Sequence, residues 1–164
     1  SAETFWDGAE GAERLKERME KRAGVGVALG SHACLEAIRR YGKVRRIGVV
    51  TPYMPVGDAN VRRFFEDNGL TVAKLKGLKC ASPMLIAHVQ PRELRAAIRE
   101  VDGPDIDLII QVGTNLACAA VAAEAERWLE KPVLAINTCT YWYALRQNGI
   151  NDKIYGFGSL LEQH

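Results

Sequence analysis

Five short apolar runs divide this chain: Val25–Leu29, Arg45–Pro52, Leu70–Leu75, Ile106–Val112 and Pro132–Asn137. Within each run the apolar residues are nearly continuous rather than alternating with polar ones, and after each comes a stretch with helical spacing. Strands of that kind are buried on both faces, so the pattern predicts a parallel β-sheet with helices on both faces, an α/β fold. The helices are expected over Phe5–Arg22, where Leu15 and Met19 share a face, and over Gly30–Arg40, with Ser31 as the cap. Val61, Phe64 and Phe65 mark another, which stops at Asn68-Gly69. Pro91 opens a helix through Val101, and two more are expected over Leu116–Leu129 and Tyr141–Gln147. Lys79–Gln90 reads as an unusually long loop, a length that favours a functional role.

Four strand–helix units fall between Arg45 and Gln147, so residues 45–148 read as one complete lobe. Residues 1–44 supply only a helix, a strand and a helix, which reads as the end of a second lobe. Residues 149–164 are a short, Gly-punctuated tail.

Charge narrows the function classes. The 22 basic and 20 acidic side chains leave a net charge of +2, and no basic stripe is interleaved with aromatics, so nucleic acid is not an expected partner. No apolar run approaches the ~20 residues of a membrane span, and the charged opening does not read as a secretory signal. Cys34, Cys80, Cys118 and Cys139 are far apart with no C-x-x-C spacing, which argues against a disulfide framework or a metal site and favours a cytoplasmic location. Neither a cofactor nor a metal is expected. The reading leaves room for a homo-oligomer.

Ligands of open parallel sheets bind beyond the carboxyl ends of the strands. Those ends carry Gly30-Ser31-His32, Thr51-Pro52-Tyr53, the loop with Lys79, Cys80, Ser82 and His88, then Gly113-Thr114-Asn115, and finally Asn137-Thr138-Cys139-Thr140. Hydroxyls, amides and helix N-termini with little charge suit a small carboxylate or phosphate. Tyr53 reads either as a boundary tyrosine or as a ligand contact, and the Thr and Asn residues either as caps or as ligand contacts. Cys34 and Cys118 lie on apolar helical faces, as small hydrophobes. Cys139 falls at a helix start, where the dipole favours a reactive thiolate, although a partly buried spectator is the plainer reading. The sequence contains no Walker loop, no H-E-x-x-H and no dinucleotide fingerprint.

Three stretches, "RRIGVVTPYMPVGDANVRRFFEDNG", "DLIIQVGTNLA" and "PVLAINTCTYWYALRQNGI" with "YGFGSLLEQH", resemble the aspartate/glutamate racemase superfamily, in the branch of maleate cis–trans isomerase and arylmalonate decarboxylase. The resemblance implies two pseudo-symmetric α/β lobes, a cleft site and cofactor-independent isomerisation or decarboxylation of a small mono- or dicarboxylate through an enediolate or a thiol adduct. It implies that residues 1–44 end a first lobe whose earlier strands, with a catalytic cysteine, precede residue 1. It matches Tyr53 to an enediolate-stabilising tyrosine, sets Gly113 where the second-lobe cysteine of the racemases stands, and gives Ser1, Gly113, Thr114, Asn115, Asn137 and Thr138 to substrate binding. Tyr53, Thr114 and Cys139 are then the expected catalytic groups. An amino-acid or hydantoin racemase, and a catalytically silent carboxylate-binding relative linked to ectoine breakdown, are the other readings that it leaves open.

Overall fold

The computed structural model describes residues 2–164. After a 3-10 turn at Ala2–Phe5 come α1 (Gly8–Ala23), α2 (Gly30–Arg40), β1 (Arg46–Thr51), α3 (Pro55–Asp67) and β2 (Thr71–Gly77). They are followed by α4 (Pro83–Ile86), α5 (Pro91–Val101), β3 (Leu108–Gln111), α6 (Ala119–Leu129), β4 (Val133–Ala135), α7 (Ile136–Gln147) and α8 (Ser159–Gln163). The four strands form one sheet in the order β2-β1-β3-β4, every neighbouring pair parallel.

Successive strand residues enter two different cores, which is why the runs are continuously apolar. Ile47, Val49, Leu108, Ile110 and Leu134 face a core with Phe64 and Phe65 of α3, Ile38 of α2 and Trp142 of α7. Val50, Ile109, Val133 and Ala135 face the opposite core, with Leu94 and Ile98 of α5 and Val121 and Ala125 of α6. Phe5 sets its ring edge-on to Phe64 at 5.2 Å, so the N-terminal turn is pinned to the first core. Each such buried ring contributes on the order of 1.5–3 kcal/mol.

The predicted helices over Gly30–Arg40 and Pro91–Val101 form with those bounds, although α2 is preceded by Leu29 as its flanking residue and Ser31 is not its cap. Gln90 and Glu93 close a capping box ahead of Pro91. The Lys79–Gln90 loop contains the short helix α4, capped by Ser82. Val25–Leu29 is corrected: it is not a strand. It runs between α1 and α2 with no ladder partner among the described residues; Val25 is 67% exposed and the Val27 N–H goes to the Glu20 carboxylate. Apolar side chains alone do not make a strand when no neighbouring backbone accepts its hydrogen bonds. At the last strand, the helix begins at Ile136 rather than Tyr141, which shortens β4 to three residues. Among the described residues no helix is long and apolar enough to cross a membrane.

Gly48 lies in the middle of β1, where a Cβ would come 2.6 Å from the Val101 carbonyl at the end of α5. Gly48→Ala is expected to destabilise the protein by about 1–3 kcal/mol, read as a lower urea midpoint at unchanged m-value.

Candidate active site at the strand-order reversal

The sequence order of the strands reverses between β1 and β3, and the loops leaving those two strands diverge there. Such a divergence opens a crevice in a doubly wound sheet. Pro52 follows β1, and Pro55 opens α3. Between them the backbone remains anchored: the carbonyls of Thr51, Pro52 and Tyr53 accept from Leu78, Cys80 and Lys79 at 2.8, 3.0 and 3.2 Å. The buried Thr51 hydroxyl donates to the Asp58 carboxylate and accepts the Tyr53 N–H at 3.1 Å. Donation to Asp58 fixes the hydroxyl rotor, so that a lone pair is turned toward Tyr53. Burial pushes the Asp58 carboxyl up from its ordinary value, opposed by the Thr51 hydrogen bond and the nearby Lys79 charge.

The loop after β3 is held as tightly. Gly113 has φ +106°, and a Cβ there would fall 2.5 Å from the Pro52 ring. Its carbonyl accepts from the Gln111 side-chain amide at 2.9 Å and from the Leu116 N–H at 3.1 Å. Gln111 is buried, and its own amide oxygen has no partner among the described residues. This turn presents Thr114 and Asn115 at the surface. The Asn115 amide donates to the Pro83 carbonyl at 3.2 Å, and the Asn137 amide to the Thr114 carbonyl at 3.0 Å.

These loops enclose a cavity of about 200 Å³ lined by Tyr53, Gly113, Thr114 and Asn115, by Pro83 and Ile86 of α4, and by Ala2 and Glu3. Hydroxyls and an amide thus face a small apolar wall. Glu3 is the one charged side chain lining it among the described residues, its carboxyl held below the usual range chiefly by its own backbone N–H. No group of three or more His, Cys, Asp or Glu side chains among the described residues is arranged to hold a metal ion.

Of the expected site residues, Tyr53, Gly113, Thr114 and Asn115 come together in this cavity, and Asn137 braces it from behind. Ser1 lies outside the described residues. Thr138 faces a different cavity. Of the two readings of Cys139, the structure fits the buried one: with α7 starting at Ile136, its thiol turns into the first core with no exposure, beside Cys34. Burial pushes the Cys34 thiol well above its usual value and Cys118 to about 12, so both are inert thiols. Thr51, Asp58, Gln111, Pro83 and Ile86 were not singled out from sequence. Only Thr51, inside the strand-ending Thr-Pro-Tyr turn, carried a local signal.

The lobe is thus a parallel α/β layer with hydroxyl and amide groups gathered at the strand-order reversal. The chain belongs to the arylmalonate decarboxylase family, whose family model matches residues 2–161. Maleate isomerase of Nocardia farcinica is 27% identical over 132 residues, covering 80% of this chain and 52% of that protein. A crystal structure of arylmalonate decarboxylase superposes with a TM-score of 0.86 at 25% identity, over 96% of this chain and 70% of that one. The Nocardia farcinica maleate cis–trans isomerase carrying a covalently bound succinylcysteine intermediate superposes with a TM-score of 0.89 at 23% identity, over 98% and 68% of the two chains. The chain spans between 52% and 60% of the length of the curated maleate isomerases it matches.

Two outcomes are expected. Gly113→Ala should push the turn off Pro52 and destabilise the protein by about 1–3 kcal/mol, read as a lower Tm. Asp58 has a folded-state pKa raised above its ordinary 3.8, so the native state loses stability as pH rises from 3.8 through the raised value. Asp58→Asn, whose amide oxygen still accepts from Thr51, should therefore gain in Tm relative to the parent above that window and show no gain below pH 3.8.

Proposed function

We propose that this chain carries the substrate-holding lobe of a cofactor-independent isomerase or decarboxylase of small carboxylates, resembling maleate isomerase in reaction. The observation that carries the reading is the cavity joining Tyr53 to Gly113, Thr114 and Asn115. Addition to the double bond of maleate, or loss of CO₂ from an arylmalonate, moves negative charge onto carboxylate oxygens. Donors that strengthen as this charge develops lower the barrier, and the phenol of Tyr53 and the hydroxyl of Thr114 stand where they would do so. Pro83 and Ile86 would exclude water from the carbon skeleton, and Glu3 would disfavour a second charge on its side of the cavity.

No cysteine lines the cavity among the described residues. The reading therefore assigns the thiol, or other acid, to the part of the relatives' length that this chain does not span, and takes residues 1–44 as the end of that other lobe. Ser1, matched by the resemblance, would bind the same substrate.

Incubation of the protein with maleate should give fumarate, or with an arylmalonate should release CO₂, without added metal or cofactor. Tyr53→Phe should lower kcat/KM on the order of 10²-fold. An unchanged rate in Tyr53→Phe would remove the phenol from the chemistry, and tight carboxylate binding with no turnover would reduce the protein to a binding lobe.

A further inference from the structure

Gln111 ends β3 with its side chain buried, at 1% exposure. The register sets it between Val50 of β1 and Ala135 of β4, whose side chains belong to the second core. Its Oε1 has no partner among the described residues. Its Nε2 does, donating to the Gly113 carbonyl at 2.9 Å. A reversed amide would set oxygen against oxygen, so the network fixes which end faces the turn. The Gly113 carbonyl also accepts the Leu116 N–H at 3.1 Å, so the Gln111 bond is not needed to satisfy it. What a second donor adds is direction: one hydrogen bond lets a peptide plane swing about it, and two donors reaching the oxygen from different elements do not.

The residue at 113 makes that restraint matter. Its φ is +106° and the Pro52 ring admits no Cβ there, so it must be glycine. Glycine, however, leaves the orientation of the following peptide open. That peptide is trans, so the Gly113 carbonyl and the Thr114 N–H stand on opposite edges of one plane and turn together. With the carbonyl drawn inward by Gln111, the Thr114 N–H is turned outward, to the side on which Thr114 is exposed and lines the Tyr53 cavity. Gln111 itself is not among the residues lining that cavity.

We propose that Gln111 is a positioning residue for the Tyr53 cavity: through the Gly113 carbonyl it holds the Gly113–Thr114 peptide in the orientation that meets a bound carboxylate. The inference rests on the reading of that cavity as a carboxylate site. Gln111→Met tests it, because the side chain keeps its length and loses the donor; Gln111→Leu serves if the first variant fails to fold. Phenylacetate, one carboxylate on a ring and inert in the proposed chemistry, is the probe, followed in ¹H–¹⁵N correlation spectra. In the parent it should shift the Thr114 and Asn115 amides. In Gln111→Met the Thr114 signal should broaden or double as two peptide orientations exchange, and phenylacetate should bind about tenfold more weakly. The Tm should stay level or rise, since the variant buries no unpartnered oxygen; a structural role alone would lower affinity only in step with Tm. No shift at Thr114 in the parent, unchanged affinity in the variants, or affinity lost only together with Tm would overturn the proposal. Fumarate formed from maleate at the parent's rate in Gln111→Met would overturn it too and leave the proposed function standing. Gln111-dependent phenylacetate binding in a protein that turns nothing over would support the positioning role and remove that function.

Discussion

The seating of the Pro52 ring on Gly113 is the contact on which the rest of the site depends. It joins the loops leaving the two central strands at the point where they would otherwise separate. No side chain larger than hydrogen fits at position 113, and the backbone there takes a conformation that other residues rarely adopt. Once the two loops touch, the phenol of Tyr53 and the turn at Thr114 and Asn115 face one space. Everything around the contact limits its freedom: three backbone hydrogen bonds on the β2 side, the Thr51 hydroxyl from beneath, and the Gln111 amide under the second loop.

The sheet was legible in the sequence because both of its faces are covered. Continuous apolar runs such as Ile106–Val112 have no other economical fold, and the helix punctuation at Pro91 and Asn68-Gly69 is local. The misreading of Val25–Leu29 has the opposite cause. Strand formation there needs a partner backbone, and no property of five apolar residues reports whether one is present. The early start of α7 is set by packing: Thr138, Cys139 and Thr140 are poor helix formers, but burial of Cys139 and Trp142 in the first core overrides that.

The candidate site was legible only at its rim. Tyr53, Thr114 and Asn115 stand directly after strands, so topology alone brought them to one edge. The groups that aim them are less visible, because their roles depend on three-dimensional neighbours. Asp58 looks like any acidic residue in a first helical turn, and Gln111 looks like the polar end of a strand. The two readings of Cys139 could not be separated for a related reason: a shift of helix start by five residues, from Tyr141 to Ile136, turns a thiol from the rim into the core. That burial separates the Cys139 thiol from the Tyr53 cavity and, in the proposed reading, moves covalent chemistry to groups beyond this lobe.

The orphaned oxygen of Gln111 sets stability against shape. A buried acceptor without a partner costs about 1–3 kcal/mol, and it stands at the centre of the sheet, among aliphatic side chains. A leucine or methionine in its place would remove that defect at the expense of the hydrogen bond that holds the Gly113 carbonyl, and so would slacken the turn. Robustness and the shape of the Gly113 turn are thus set against each other at this one side chain.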